Sequence, residues 1–529
     1  MSTEHLSFLP RILRSVWCWP ALVTLLVGLY RIGTPELWRD EISSWSAATR
    51  SLPELFAILG NVDASNGAYY LLLHAWTEVF GESVPSLRLP SALAMAAAAG
   101  FTALAALRWF RSRVAAVAAG LLLAALPNVS AYAQEARSYA FVTCAVAAAT
   151  WCLLRSLDRP CPARWAWYAL CTALAGVLHL VSLSSLAGQC VVVALHLRSA
   201  PDRRVLRQFP VAVTAALLPA LPVMLLGRRQ SGRQLDWVTA ATRYRLRMFW
   251  PEFLGSFGVM YAFLALAVAA LLWRGRRTAA VQAAALAVLP VLGVWLVSQG
   301  RTSYFVDRYL LFTLPAWAVL AGGGVGAIHH ALGSLHALGS LHTPGSRRGR
   351  SATSPAHGTG WAGRAPRTAA AGLALAVVAV PGLLGVPQQR AVRYVTARTQ
   401  TDYQGAARLV ASGYRNGDGI VTVAGKKAWM MVGPGVTYHL PEAVRPRPLL
   451  IARTAVRAGD LFPVECPVPV SCIGDVSRTW VVTIGTGDDP YQALPAGQAG
   501  ALRAAFTPSE VRHVRGLTVS LLVRARRHA

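Results

Sequence analysis

Long apolar stretches separated by short basic connections set the pattern of this chain. Apolar runs fall at about 16–30, 87–107, 114–130, 139–154, 165–180, 183–197, 209–226, 257–273, 279–297, 309–327 and 369–386. Each is near the length at which a helix crosses a bilayer, so about eleven crossings are expected. A shorter apolar piece at 68–80 contains Tyr69, Tyr70, His74 and Trp76. If it crossed, Arg108, Arg111 and Arg113 would fall outside the membrane. If it stays at the outer surface, those arginines become cytoplasmic, as the positive-inside rule prefers. The second arrangement is taken here. The loop 33–66 then lies outside and carries an amphipathic piece at 41–59, suited to helices along the membrane surface.

From 390 onward the pattern changes. Short β-like runs at 419–423, 448–452, 479–484 and 517–523 alternate with helical stretches at 401–414 and 495–506. The expected architecture is therefore a polytopic α-helical membrane protein with a small C-terminal soluble α/β domain. Residues 1–327 form the membrane region, with an extracytoplasmic juxtamembrane loop at 33–86. Residues 328–368 are a basic, low-complexity cytoplasmic linker with a short repeat, His-Ala-Leu-Gly-Ser-Leu. Residues 369–388 hold the last crossing, and 389–529 the extracytoplasmic domain.

Composition agrees. The 529 residues are 54% hydrophobic and 14% charged, with a mean hydropathy of +0.43. A soluble chain of this length needs more charge to cover its surface. The net charge of +28 is no nucleic-acid signal. It sits in arginines between apolar runs, where it orients the chain and meets anionic lipid, and no nucleic-acid motif accompanies it. Arg11 and Arg14 before the first run place the N-terminus in the cytoplasm. Six cysteines lie in or beside apolar runs. Cys466 and Cys472 stand close together in a polar stretch, either as a disulfide or as two free thiols.

The chemistry gathers in the outer connections. Asp40 and Glu41 follow the first run, between Trp38 and Trp45. Glu135 and Arg137 lie in the next outer loop, and Asp307 and Arg308 in a late one. Arg228, Arg229 and Arg233 in the loop 227–254 break the charge rule locally, either through a slip in topology or to meet an anionic ligand. Carboxylates at a membrane edge are costly without a job. Each has a plainer reading: helix capping for Asp40-Glu41, a local ion pair for Glu135-Arg137, an orientation anchor for Asp307-Arg308, packing for His74. Together they suit glycosyl transfer from a lipid phosphate, with a carboxylate base and arginines or a metal on the leaving phosphate.

Trp38-Arg39-Asp40-Glu41, Tyr69-Tyr70 with His74 and Trp76, Phe80-Gly81, Leu87-Arg88-Leu89-Pro90, Gln134-Glu135-Ala136-Arg137-Ser138-Tyr139 and Asp307-Arg308-Tyr309 occur in this order. In these the chain resembles glycosyltransferase family 39 and its bacterial C-type membrane relatives, which include protein O-mannosyltransferases and aminoarabinose transferases. The resemblance implies a polyprenyl-phosphate sugar donor, with mannose favoured, and inverting transfer to a protein, lipid or wall-glycan acceptor. It implies an extracytoplasmic site in a bacterial plasma membrane. It matches Asp40 to the family's proposed base and Glu135 to its second-loop acid. Beyond the resemblance, Glu41 is taken as catalytic beside them, Arg137 and Arg308 as donor-phosphate partners, and Tyr69, Tyr70, His74, Tyr139 and Asp307 as lining the site. Some relatives carry a divalent ion, for which Glu135 and Asp40 are candidate ligands here. Gly67-Ala68 replace the Pro-Pro that relatives often show before the paired tyrosines. The competing class is a transporter or flippase of a lipid-linked or anionic substrate, for which an internal repeat is expected. None is seen.

Overall fold

The computed structural model describes residues 15–234, 237–341, 365–423 and 425–525. Arg11 and Arg14, and the linker stretch 342–364, lie outside the described residues. Among those described, five helices are long and apolar enough to cross a membrane, and up to eight if each of three bent pairs is one span. The five are Val84–Phe110, Tyr139–Asp158, Leu180–Ser199, Arg274–Val297 and Asp307–Ser334. The expected count of eleven is thus not reached by length and apolarity alone. The helix Cys18–Leu29 is too short for that criterion. The pair Arg113–Ala125 and Pro127–Ala133 bends by 67°, where Pro127 opens the second helix and denies the first a continuing N–H.

Large apolar side chains such as Leu22, Leu26, Leu170, Leu174, Leu272 and Leu296 are exposed. In water such a surface would aggregate; against lipid it is the surface required. Between helices, small residues permit close approach. A Cβ added to Gly322 would lie 2.6 Å from the backbone oxygen of Ala115. The helix Leu314–Leu341 therefore packs hard on Arg113–Ala125. It also runs past residue 327, where the sequence pattern ended it. Residues 328–341 of the expected linker are helical, because alanine, leucine and histidine continue a turn readily once the preceding turns exist.

The segment 68–80 forms its own helix, Gly67–Phe80, and packs on a second short helix, Arg39–Ala48. The separate helix expected there is present. Ser51 and Glu54 build a reciprocal cap at the start of Leu52–Asn61. In the expected loop 227–254, whose stretch 237–253 has apolar and basic residues at helical spacing, the helix Ala220–Gln234 continues through the first part and Arg243–Leu254 is helical in the second.

The tail carries a five-stranded mixed sheet of order β2-β1-β5-β7-β6. Its strands are β1 Gly419–Thr422, β2 Arg447–Pro448, β5 Arg478–Ile484, β6 Phe506–Val514 and β7 Leu517–Arg524; β3 Ile451–Arg453 and β4 Val464–Glu465 pair separately. β1 runs parallel to β2 and β5, while β7 is antiparallel to both β5 and β6. Alternate residues of β5 face different cores. Trp480 and Val482 join the main core with the helix Tyr403–Gly413, whereas Val481 packs with Leu502 of the helix Ala496–Ala505. β6 and the helix Val432–His439 were not foreseen. β6 has mostly exposed side chains, so no apolar alternation marks it.

The tail docks on the segment 50–82. Arg50 donates to the Asp460 carbonyl at 2.8 Å, Asn61 to that of Gly459 at 3.1 Å, and the Tyr438 hydroxyl to that of Glu82 at 2.8 Å. Gly459 adopts a left-handed φ of +59°, and a Cβ there would stand 2.9 Å from the Asn61 amide, so glycine serves both needs. Gly322→Leu should destabilise the bundle by about 1–3 kcal/mol through overpacking. Thermal unfolding in detergent checks this; an unchanged midpoint would contradict the close helix contact.

Candidate active site

Glu41 lies one residue beyond Asp40 on the first turn of Arg39–Ala48 and turns inward. Its two carboxylate oxygens accept from Arg88 Nε and Nη2, each at 2.7 Å. Both side chains are fully buried. Arg88 Nη1 also donates to the carbonyls of Ile32 and Pro35 at 2.9 and 2.8 Å, and Nη2 to that of Glu36 at 3.3 Å. The Ala136 N–H donates to Glu41 at 2.9 Å. This clamp joins the segment 32–41, the start of Val84–Phe110 and the loop at Ala136. Burial pushes the Glu41 carboxyl up. The Arg88 charge and hydrogen bonds, with Arg398 and the Ala136 N–H, overcome this and hold it below its usual range.

Asp40 faces the other way and remains partly accessible, with Arg39 Nε at 3.4 Å and Arg308 Nη2 at 3.7 Å. Arg308 is framed by the rings of Trp38, Trp237 and Tyr309, at 5.6, 4.9 and 5.7 Å. Glu135 is buried and pairs with Arg398 Nη1 at 3.1 Å. Arg398 also donates to the carbonyl of Ala131. The second loop is pinned from below. The Ser91 hydroxyl donates to the Glu135 carbonyl at 2.6 Å, and the Gln134 amide to those of Gly28 and Tyr30 at 2.9 and 2.7 Å.

Arg137 Nη1 reaches the Ser44 and Tyr70 hydroxyls at 3.4 and 3.3 Å, and Tyr70 donates in turn to Asp63. Burial and the Asp63 charge push the Tyr70 phenol well up, so it stays a neutral donor. Tyr139, His179 and Tyr309 pack as tilted rings into an aromatic wall. Tyr69 is buried against Phe141. His74 Nδ1 lies 2.8 Å from the Ala48 carbonyl and so joins Gly67–Phe80 to Arg39–Ala48. Asp307 is exposed, with its charge near the Tyr132 phenol. Buried Nε atoms of Arg137, Arg308 and Arg398 have no hydrogen-bond partner, nor do Trp38 Nε1 and Glu135 Oε1. Buried groups of this kind are normally paired, and five such atoms concentrate here.

The structure thus gathers Asp40, Glu135, Arg137, Arg308, Tyr70 and Tyr139 in one region. It turns Glu41, expected beside Asp40 in catalysis, into the interior clamp, because its neighbour on the next helical position points about 100° away. His74 is likewise a packing residue. Arg398 was missed by sequence reading, since it lies in the tail far from any motif. Arg88 was read only as part of a resemblance. The Cys466–Cys472 alternative is resolved as a disulfide. Among the described residues, no group of three or more His, Cys, Asp or Glu side chains could hold a metal ion. Asp40 and Glu135 face guanidinium groups instead.

A membrane-embedded helical bundle with convergent acids and arginines at one end defines the class. Residues 68–226 match the family model described as dolichyl-phosphate-mannose-protein mannosyltransferase, a stretch holding Tyr69, Glu135 and Arg137 but not Asp40 or Arg308. The fold is similar to that of ArnT from Cupriavidus metallidurans. The apo structure gives a TM-score of 0.58 at 15% identity over 98% of both chains. The structure bound to undecaprenyl phosphate gives 0.56 at 15% identity, over 95% of this chain and 97% of that one. No curated protein matches the sequence. The resemblance to family 39 is thus met by a family model over residues 68–226, and the chain shares the fold of ArnT over nearly its whole length.

Arg88→Ala leaves Glu41 buried and unpaired and should cost about 3–5 kcal/mol, read as a lower unfolding midpoint. Because the Glu41 carboxyl is depressed in the folded state, its contribution is present above its ordinary value of 4.5 and is lost as pH falls through the folded value. Arg88→Ala should therefore flatten the acid limb of stability against pH. An unaltered acid limb would contradict the clamp.

Proposed function

We propose that this protein is an integral-membrane glycosyltransferase. It moves a sugar, mannose favoured, from a polyprenyl-phosphate donor to an acceptor hydroxyl on the extracytoplasmic side of a bacterial plasma membrane. The observation that carries this reading is the meeting of accessible Asp40 with Arg308 at 3.7 Å, ringed by buried N–H groups lacking partners. Asp40 accepts the proton of the acceptor hydroxyl as that oxygen attacks the anomeric carbon. The bond to the phosphate oxygen breaks on the opposite face and inverts the configuration. Arg308 and Arg137 meet the phosphate as it gains charge. Tyr70, held neutral, and the Tyr139 wall shape the approach.

The orientation has physical support. Arg88 at the site and Arg108 lie at opposite ends of the helix Val84–Phe110, separated by about 30 Å at 1.5 Å per residue, roughly one bilayer core. Arg108, Arg111 and Arg113 cluster at the far end, which the positive-inside rule makes cytoplasmic. The Cys466–Cys472 disulfide suits a tail on the oxidising side. Within this reading the matched family model supports a lipid-linked donor, and the ArnT structure bound to undecaprenyl phosphate supports a polyprenyl one.

Purified protein given a labelled polyprenyl-phosphate sugar and a membrane-extract acceptor should transfer label. Asp40→Asn should lower turnover by about 10²–10⁴-fold with the fold intact. Turnover undiminished in Asp40→Asn would remove Asp40 as the base.

A further inference from the structure

The helix Val84–Phe110 carries the Glu41–Arg88 clamp near its start. At its other end a cavity of about 740 Å³ lies among three chain segments. Phe110, Arg111 and Ser112 form the elbow into the helix Arg113–Ala125. Trp273, Gly275 and Arg276 belong to the turn between Phe257–Leu272 and Arg277–Val297. The third wall is one face of Leu314–Leu341, where Gly326, His329, His330, Gly333 and Ser334 recur at spacings of three and four. The transfer reaction uses none of these residues.

The charge is one-sided. Two arginines and no acid line the cavity. Among the described residues neither Arg111 nor Arg276 has a carboxylate partner. Asp158, which ends the helix Tyr139–Asp158, is taken by Arg108. The Ser112 hydroxyl accepts from the Ala115 N–H at 3.2 Å, which leaves its own hydrogen to donate. Guanidinium, hydroxyl and imidazole donors without a competing carboxylate suit a phosphate.

The surroundings favour a lipid phosphate over a soluble one. Leu264, Val268 and Leu272 are exposed. Spaced by four, they make an apolar row along Phe257–Leu272 that ends beside Trp273. Trp273 stacks on Phe110 at 6.0 Å and stands between that row and the basic turn, the position aromatic rings take at a membrane–water boundary. An acyl chain fits the row, and a phosphate fits the arginines beyond it.

We propose that this cavity binds the phosphate of an anionic diacyl phospholipid, with an acyl chain along Leu264, Val268 and Leu272. Arg111 and Arg276 are its charge partners. The bound lipid joins the elbow, the turn and Leu314–Leu341.

Native mass spectrometry of the full chain, released from micelles holding equal phosphatidylglycerol and phosphatidylcholine, tests this. Phosphatidylglycerol should be retained at least about tenfold over phosphatidylcholine. Arg111→Asn with Arg276→Gln should weaken it about thirtyfold, about fivefold for each charge. Asparagine tolerates the left-handed φ of +49° at residue 111. A Cβ at Gly333 meets nothing within 4 Å, so Gly333→Phe should fill the cavity and displace the lipid with the unfolding midpoint unchanged. Arg274→Gln, in the same turn but outside the lining, should change retention less than about twofold. Equal retention of the two lipids, or a loss in the double variant no larger than in Arg274→Gln, would overturn the proposal. So would glycerol phosphate binding as tightly as the phospholipid, which would make this a soluble-anion site. Should the double variant fail to fold, retention by Gly333→Phe decides. Each outcome is read without turnover, so the glycosyltransferase reading stands or falls separately.

Discussion

The buried pair of Glu41 and Arg88 is the constraint on which the acid- and arginine-bearing end of this protein depends. Two full charges removed from water are tolerable only when every hydrogen-bonding position is met. Here the carboxylate takes two guanidinium N–H groups and one backbone N–H, while the guanidinium reaches three carbonyls as well. The partners come from the first loop, the start of a long membrane helix and the second loop. Moving any of them strands a charge in an apolar interior. The pair therefore fixes where Arg39–Ala48 sits, and with it where Asp40 points.

The rest of the site is built outward from that fixed point. Ser91, one turn along the helix from Arg88, pins the carbonyl of Glu135, and Gln134 ties the same loop to the end of the first helix. Arg308 arrives from the late loop into a frame of aromatic rings, which hold a weakly hydrated guanidinium without neutralising it. Arg398 arrives from beyond the helix Val386–Ala391. The tail thus takes part in the site through one side chain and clasps the surface helices through backbone carbonyls at Gly459 and Asp460.

Adjacent acids with opposite fates show how far reading the chain could go. Asp40 and Glu41 are indistinguishable as a carboxylate pair at a membrane edge. On a helix, adjacent positions point to different sides, so one is accessible and the other is a structural ion. Glu135 and Arg137 read as a local pair, yet Glu135 binds Arg398 while Arg137 meets Ser44 and Tyr70. Helix bends at Pro127 and beyond Leu217 broke spans that appear continuous as apolar runs. The strand Phe506–Val514 escaped notice because its exposed face carries no alternation.

The sequence by itself determined the membrane class, the separate surface helix at 67–80, the sheet-bearing tail and the set of acids and arginines around which the site forms. These follow from apolar length, charge placement and alternation, all local properties of the chain. The tertiary structure alone decided which acid stays accessible, which arginine pairs with which carboxylate, and that residue 398 joins residue 135. Those outcomes depend on contacts between segments far apart in sequence, where burial makes each charge choose a partner that no local pattern records.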